Sequence, residues 1–264
     1  MRSYRELCLC PVYSTHHPLH ILIHREGSPF GEYCPIDEHC EGRFLNQTAG
    51  ALVAGRASGS GTNEYYSLNI GGLHLVVYNT MEYLGLGRPM RKEQLAWLKA
   101  DLAGVDRTET PWILLATHVP MYCSAIDATL PPYRGCLADG VKTSDAIMSD
   151  LEPLMLQYGV DLYAYGHVHA YQSTWPIKNG SLTKASLDSP DAPVHVLTGA
   201  AGPPGVPETF SLPPPWSRST ASLWSYGRVN VHNATHLTYE HVRNTDGVVI
   251  DSWTIFQPRH GPFV

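Results

Sequence analysis

The stretch that most constrains this chain is an apolar run that stops at Gly166-His167-Val168-His169. Val160-Asp161-Leu162-Tyr163-Ala164-Tyr165 reads as a buried strand, short and bounded by a turn residue. A strand ending near Gly166 delivers both imidazoles to the mouth of a sheet. Glycine there removes a side chain where the backbone must turn and let an ion or ligand come close. Neutral imidazole is the commonest protein metal ligand. His118 has the same setting, after Trp112-Ile113-Leu114-Leu115-Ala116. Histidines at the ends of two strand-like runs predict a metal centre at the carboxyl edge of a sheet, where open α/β sheets place their ligands. The chain has 14 histidines, so a close pair alone carries little. The matching context of His118 is what strengthens the reading.

Periodicity extends the pattern on both sides. Tyr65 to Ile70 and Leu73 to Asn79 read as strands, and Gly71-Gly72 between them signals a tight hairpin. Residues 91–103 read as a helix with Leu95, Leu98 and Leu102 on one stripe and Gly104 as its stop. Residues 144–158 form a second helix, with Ile147, Leu151 and Leu154 on its apolar side and Pro153 awkward inside it. The middle of the chain therefore reads β-α-β-α-β, a sheet with helical cover. The tail is β-rich at Val194–Thr198, Gly227–His232, His236–Val242 and Val248–Phe256, which predicts an antiparallel second layer. Six prolines within 202–219 predict a surface loop. Residues 1–42 read as an irregular N-terminal segment, with Leu19 to Ile23 its one apolar core. Residues 43–264 read as the folded domain.

Size and composition set outer bounds. With 264 residues, 43% of them apolar, the chain can bury one sizeable core. The net charge is −6 and there is no basic run, which argues against a nucleic-acid partner or an anionic membrane. No stretch approaches the length of a membrane span, and no signal peptide is visible at the start of the chain. Yet sequons stand at Asn46, Asn179 and Asn233, and Cys34/Cys40 and Cys123/Cys136 are spaced for small disulfide loops. Free thiols are the alternative, which spacing does not decide. Together these features point to a secretory compartment, extracellular or vacuolar and lysosomal. A secretory body without a secretory start points to a missing N-terminus.

The chain resembles the purple acid phosphatases, a branch of the calcineurin-like metallophosphoesterases. The resemblance spans residues 43 to 260. It rests on Ser58-Gly59-Ser60-Gly61-Thr62-Asn63-Glu64-Tyr65-Tyr66-Ser67, Gln94-Leu95-Ala96-Trp97-Leu98, Thr117-His118-Val119-Pro120-Met121-Tyr122 and Tyr165-Gly166-His167-Val168-His169-Ala170-Tyr171. Pro193 to Gly199, Tyr226-Gly227 and Asn244-Thr245-Asp246-Gly247 add to it. The resemblance implies an α/β (α+β) fold, a β-sandwich flanked by helices and here lacking its N-terminal strands. It implies a binuclear centre of iron with zinc, manganese or a second iron, acting on phosphate monoesters. His118 and His167 would bind the second, divalent metal, and His169 the first, normally ferric iron. If His24 aligns with the histidine of the family's Gly-Asn-His-Asp/Glu block, the resemblance implies a substrate-binding role for it, and the block's asparagine position is Ile23 here. The two Gly-Asp blocks that supply the carboxylates and the iron-bound tyrosine have no counterpart, so the two-metal site reads as incomplete. Where the family carries outer histidines this chain has Asp127 and Ala128, which leaves Asp127 as the candidate acid.

Two functions compete. One is a metal-dependent phosphomonoesterase whose chain is truncated. The other is a catalytically inactive glycoprotein paralogue, or a fragment that binds a metal or a partner. Tyr171 and Trp175 follow the histidines and are expected at the edge of a substrate cleft. Trp97, Trp112 and Trp253 are expected in the core. His195, His232, His236 and His241 are expected to be satisfied structural residues. Substrate identity, disulfide pairing and oligomeric state are not legible in the sequence.

Overall fold

Four strands with no polar face organise the fold. Leu73–Val77, Trp112–Ala116, Leu162–Tyr165 and Val194–Thr198 are buried at every residue. A strand of this kind must be covered on both sides, as parallel strands in α/β proteins are. The computed structural model describes residues 6–9, 21–23, 53–84, 91–126, 141–201, 207–210 and 213–263. In chain order the strands and α-helices are β1 (Glu6–Leu9), β2 (Ile21–Ile23), β3 (Tyr66–Ile70), β4 (Leu73–Val77), α1 (Arg91–Ala103), β5 (Trp112–Ala116), β6 (Ala125–Ile126), α2 (Val141–Tyr158), β7 (Leu162–Tyr165) and β8 (Tyr171–Thr174). They continue with β9 (Ile177–Lys178), β10 (Ser181–Leu182), β11 (Val194–Thr198), β12 (Thr209–Phe210), β13 (Ser217–Ala221), β14 (Ser225–Val231), β15 (His236–Arg243) and β16 (Val249–Phe256).

The larger sheet has the order β13-β8-β11-β7-β5-β4-β3. Its centre, β4, β5, β7 and β11, is parallel, and the outer strands are antiparallel. The second sheet, β16-β15-β14-β1-β2, is antiparallel throughout. Side chains alternate between two covers, as the period of a strand requires. Leu75, Trp112, Leu114, Leu162 and Val196 face the second sheet and pack with Val229, Leu237, Tyr239 and Ile255. Ile113, Leu115, Tyr163 and Tyr165 face Leu98 and Leu102 of α1 and Ile147, Leu151 and Met155 of α2. Each of these large side chains contributes about 1.5–3 kcal/mol by leaving water. The result is the expected β-sandwich with helical cover.

Local features follow the sequence closely. β3 and β4 join through Gly71-Gly72 with Ile70 paired to Leu73, and Gly71 takes the left-handed backbone the turn requires (φ 58°). Helix α1 ends where the Gly104 amide donates back to Ala100 O and Asp101 O. It buries Leu98 and Leu102 together with Gln94, while Leu95 is only partly covered. Helix α2 begins at Val141 and tolerates Pro153 on its exposed side. Of the 1–42 segment, β1 pairs with β14, and β2 lies inside the Leu19–Ile23 run.

The tail departs from expectation in three ways. Val194–Thr198 does not join the antiparallel layer but lies parallel to β7 in the larger sheet. The reason is legible in its burial: it has no solvent face, whereas β14 alternates strictly between buried and half-buried residues. The Pro-rich run is not wholly a loop, because β12 pairs with β6 and β13 forms an edge of the larger sheet. His195, expected to be satisfied, is fully buried with neither ring nitrogen hydrogen-bonded among the described residues. Tyr163, Tyr122 and Tyr165 surround it, with ring centroids at 5.1, 5.2 and 6.0 Å.

Burial pushes the His195 imidazole down to about 3. The folded state therefore holds this ring neutral, while the unfolded chain protonates it below about pH 6.5. Stability from this group is fully present above about pH 6.5 and is lost as pH falls towards about 3. His195→Phe keeps the aromatic packing and removes the proton uptake. Thermal unfolding from pH 7 to pH 4 should lose stability less steeply in this variant than in the parent. Parallel curves would show that His195 is protonated, or hydrated, in the folded protein.

Candidate metal centre

Parallel pairing of β5 and β7, with Ala116 opposite Ala164, sends both strands towards the same sheet edge. The residues that leave them, Thr117-His118 and Gly166-His167, arrive side by side. His118 Nε2 lies 3.1 Å from His167 Nδ1, and the rings meet edge to face with centroids 5.0 Å apart. The backbone fixes this meeting from both sides. Gly166 N donates to His118 O at 3.0 Å. The amides of His118 and Val119 both donate to Thr80 Oγ1, at 3.1 and 2.8 Å.

The turn after β7 is tight. Val168 N donates to Gly166 O at 2.8 Å, and Ala170 N to Val168 O at 2.9 Å. The left-handed residue in it is His167, with φ 64°, a rare conformation for a residue with a β-carbon. Such strain, of order 1–3 kcal/mol, gathers at functional sites. Val168 packs into the core while His167 and His169 stay half-buried on the open side.

Burial lowers the His118 imidazole to about 4, and the neighbouring charges of His167 and His169 would add to this. His169 is lowered too, first by burial and then by His167, against an opposing pull from Glu208. Both rings are therefore neutral at neutral pH, the form that binds a cation. Glu208 was not foreseen. Its amide donates to His169 O at 3.1 Å, and its Oε2 is buried without a hydrogen-bond partner among the described residues. It lies in the Pro-rich run, where no pattern distinguishes a carboxylate near a site.

The donor set fits one cation in part. Two imidazole nitrogens on one zinc-like ion, each about 2.0–2.1 Å from it, stand about 2.9–3.4 Å apart depending on the angle between them. The His118–His167 separation falls in that range. Beyond the pair, no group of three or more His, Cys, Asp or Glu among the described residues is placed to hold a metal ion.

Other expectations divide. Tyr171 does not edge a cleft. It is fully buried between the sheets, stacked on His241, with its hydroxyl donating to Asp251 Oδ2 at 2.6 Å. The alternation along β8 turns it inward, and the carboxylate satisfies its hydroxyl there. Asn179 is exposed on the β9–β10 turn, and Asn233 on the β14–β15 turn, where its Oδ1 accepts from the Thr235 and His236 amides. Cys123 is disulfide-bonded. His24, Cys34, Cys40, Asn46, Asp127 and Cys136 lie outside the described residues.

Residues 24–171 match the family model of calcineurin-like phosphoesterases, and residues 192–252 that of the iron/zinc purple acid phosphatase-like protein C. The chain belongs to the calcineurin-like phosphoesterase family, in its purple acid phosphatase branch. It is 34% identical to acid phosphatase type 7 of Danio rerio over 87% of its own length and 54% of the relative. It is likewise 34% identical to purple acid phosphatase 18 of Arabidopsis thaliana, over 72% of this chain and 39% of that one. It thus spans about half the length, or less, of these curated relatives. The purple acid phosphatase PPD1 from yellow lupin (Lupinus luteus) seeds shares the fold, with a TM-score of 0.59 at 24% identity over 74% of this chain and 33% of that one.

Gly199, at the end of β11, passes directly against the histidine turn. A β-carbon there would lie 1.9 Å from Val168 O and 2.8 Å from Val168 C. Since the obstacle is backbone, Gly199→Ala must move the turn or β11. Urea unfolding should show a loss of about 2–3 kcal/mol, at the upper end of what overpacking costs. An unchanged midpoint would mean that the turn is not held as tightly as its geometry implies.

Proposed function

We propose that this chain is part of a metal-dependent phosphomonoester hydrolase, with His118 and His167 as shared ligands of a divalent ion and His169 as a ligand of a second metal, iron in the family. The observation that carries the reading is the 3.1 Å approach of the His118 and His167 imidazole nitrogens at the carboxyl edge of adjacent parallel strands. A bound cation supplies Lewis acidity, lowering the pKa of water and drawing charge from phosphate oxygens. The chain's own part is to present lone pairs from a fixed backbone. Val168, Val119 and Met121, next to the histidines in sequence, anchor that backbone in the helix-side core.

A second reading has its own support. Holding two cations a few ångströms apart needs negative charge, which imidazoles do not provide. No described carboxylate joins the three histidines in a metal-binding group. This favours weak activity in the chain alone, or an inactive glycoprotein that keeps one metal at most. Exposure of Asn179 and Asn233, together with the disulfide at Cys123, supports a glycoprotein of the secretory pathway, extracellular or vacuolar and lysosomal. Among the described residues no helix is long and apolar enough to cross a membrane.

The two readings separate on purified protein supplied with iron and zinc and given an aryl phosphate at acid pH. The first predicts bound metal and slow chelator-sensitive turnover, with metal binding weakened and turnover lost in His118→Ala. Metal-free protein after reconstitution would favour the glycoprotein. Rapid turnover that needs His118 would contradict an incomplete site.

A further inference from the structure

The segment Gln94-Leu95-Ala96-Trp97-Leu98 marks the family resemblance, yet it lies on α1 and not on the strands that lead to the histidines. Its first residue offers an explanation. Gln94 is a fully buried amide on α1, on the face packed against the sheet. Its Nε2 donates to Asn79 O at 2.8 Å, and its Oε1 accepts from Asn79 N at 3.3 Å. One side-chain amide thus occupies both backbone groups of Asn79, as a neighbouring strand would. Asn79 lies just beyond β4, where the ladder with β5 has ended at Val77 opposite Ala116. Without a partner from α1 this backbone would be buried and unpaired.

Holding Asn79 places the next residue. Thr80 is fully buried, and its hydroxyl oxygen accepts from the amides of both His118 and Val119. A hydroxyl has two acceptor sites, and here both are spent on the backbone that carries His118. The opposite side of His118 is tied by its carbonyl, which accepts from Gly166 N. The chain of contacts runs from Gln94 to Asn79, Thr80, His118 and finally the His167 ring.

We propose that Gln94 and Thr80 are positioning residues that set the His118 imidazole against His167, so that both nitrogens meet one divalent cation. The metal role of the pair rests on the function proposed above, but the placement does not. Backbone partners of this kind, one step behind a ligand, fix its orientation, and their loss weakens metal binding about 10–100-fold.

The test uses the full chain in four forms: parent, Thr80→Ser, Thr80→Val and Gln94→Met. Imidazole nitrogen resonances and amide hydrogen exchange are recorded without metal, and zinc affinity is then measured by calorimetry. In Thr80→Val and Gln94→Met, the His118 and His167 ring signals should shift while those of His241, buried between the sheets, stay in place. The His118 and Val119 amides should exchange faster in Thr80→Val. Zinc affinity should fall about tenfold or more in both variants, the usual cost of losing such a partner. Thr80→Ser keeps the oxygen and should restore the parent's ring signals and affinity. Unmoved His118 and His167 signals in Thr80→Val would overturn the proposal. So would equal perturbation of His241, or a failure of Thr80→Ser to rescue, since either marks a merely structural role. If the parent binds no zinc, the metal reading falls, and the metal-free ring signals still decide the placement.

Discussion

The pairing of two short parallel strands governs the rest of this structure. With Ala116 opposite Ala164, β5 and β7 run side by side and end together. Everything at the site follows from that register. A parallel sheet points its strand ends the same way, so residues distant in sequence meet without a dedicated loop between them. His118 and His167 are 49 positions apart and 3.1 Å apart in space. The register holds because each strand is apolar on both faces and is gripped by two different covers. One is the second sheet through Trp112, Leu114 and Leu162. The other is the helices through Ile113, Leu115 and Tyr163. A slip by one residue would exchange these sets and place Trp112 among the helices.

Around this core, polar groups hold what packing alone leaves open. Asp161, buried at the opposite end of β7, accepts from Arg107 Nη1 at 3.1 Å and from the Ile113 amide at 2.8 Å, and faces His260 Nδ1 at 3.2 Å. It ties α1's exit, β5 and the C-terminal tail at one point. Breaking such a buried pair from one side costs about 3–5 kcal/mol. At the site end, Thr80 and Gly166 do the corresponding work with backbone bonds. The strand ends are therefore pinned at both extremes, and the strained φ of His167 is tolerated because its neighbours leave the turn little choice.

Much of this was legible in the sequence because apolar runs and turn residues state their structure directly. The β-α-β-α-β order, the Gly71-Gly72 hairpin and the approach of His118 to the Gly-His-x-His turn could all be read from it. What could not be read depends on tertiary contact. Val194–Thr198 carries the same letters whether it joins a parallel or an antiparallel sheet, and only its cover on both faces decides. Tyr171 looks like a cleft residue by proximity to His169, but one step along a strand reverses its face. His195 has no hydrogen-bonding signature in sequence, and its orphaned nitrogens emerge only from the tyrosines that enclose it. Thr80 acts across 38 and 39 residues and Glu208 across 39, separations that no local pattern records.

Whether His118 and His167 share one divalent cation, as proposed, is decided by zinc K-edge absorption of the zinc-loaded chain, which counts imidazole ligands. Two are predicted, at about 2.0–2.1 Å from the metal, with one lost in His118→Ala. A ligand count unchanged by that substitution would contradict the account.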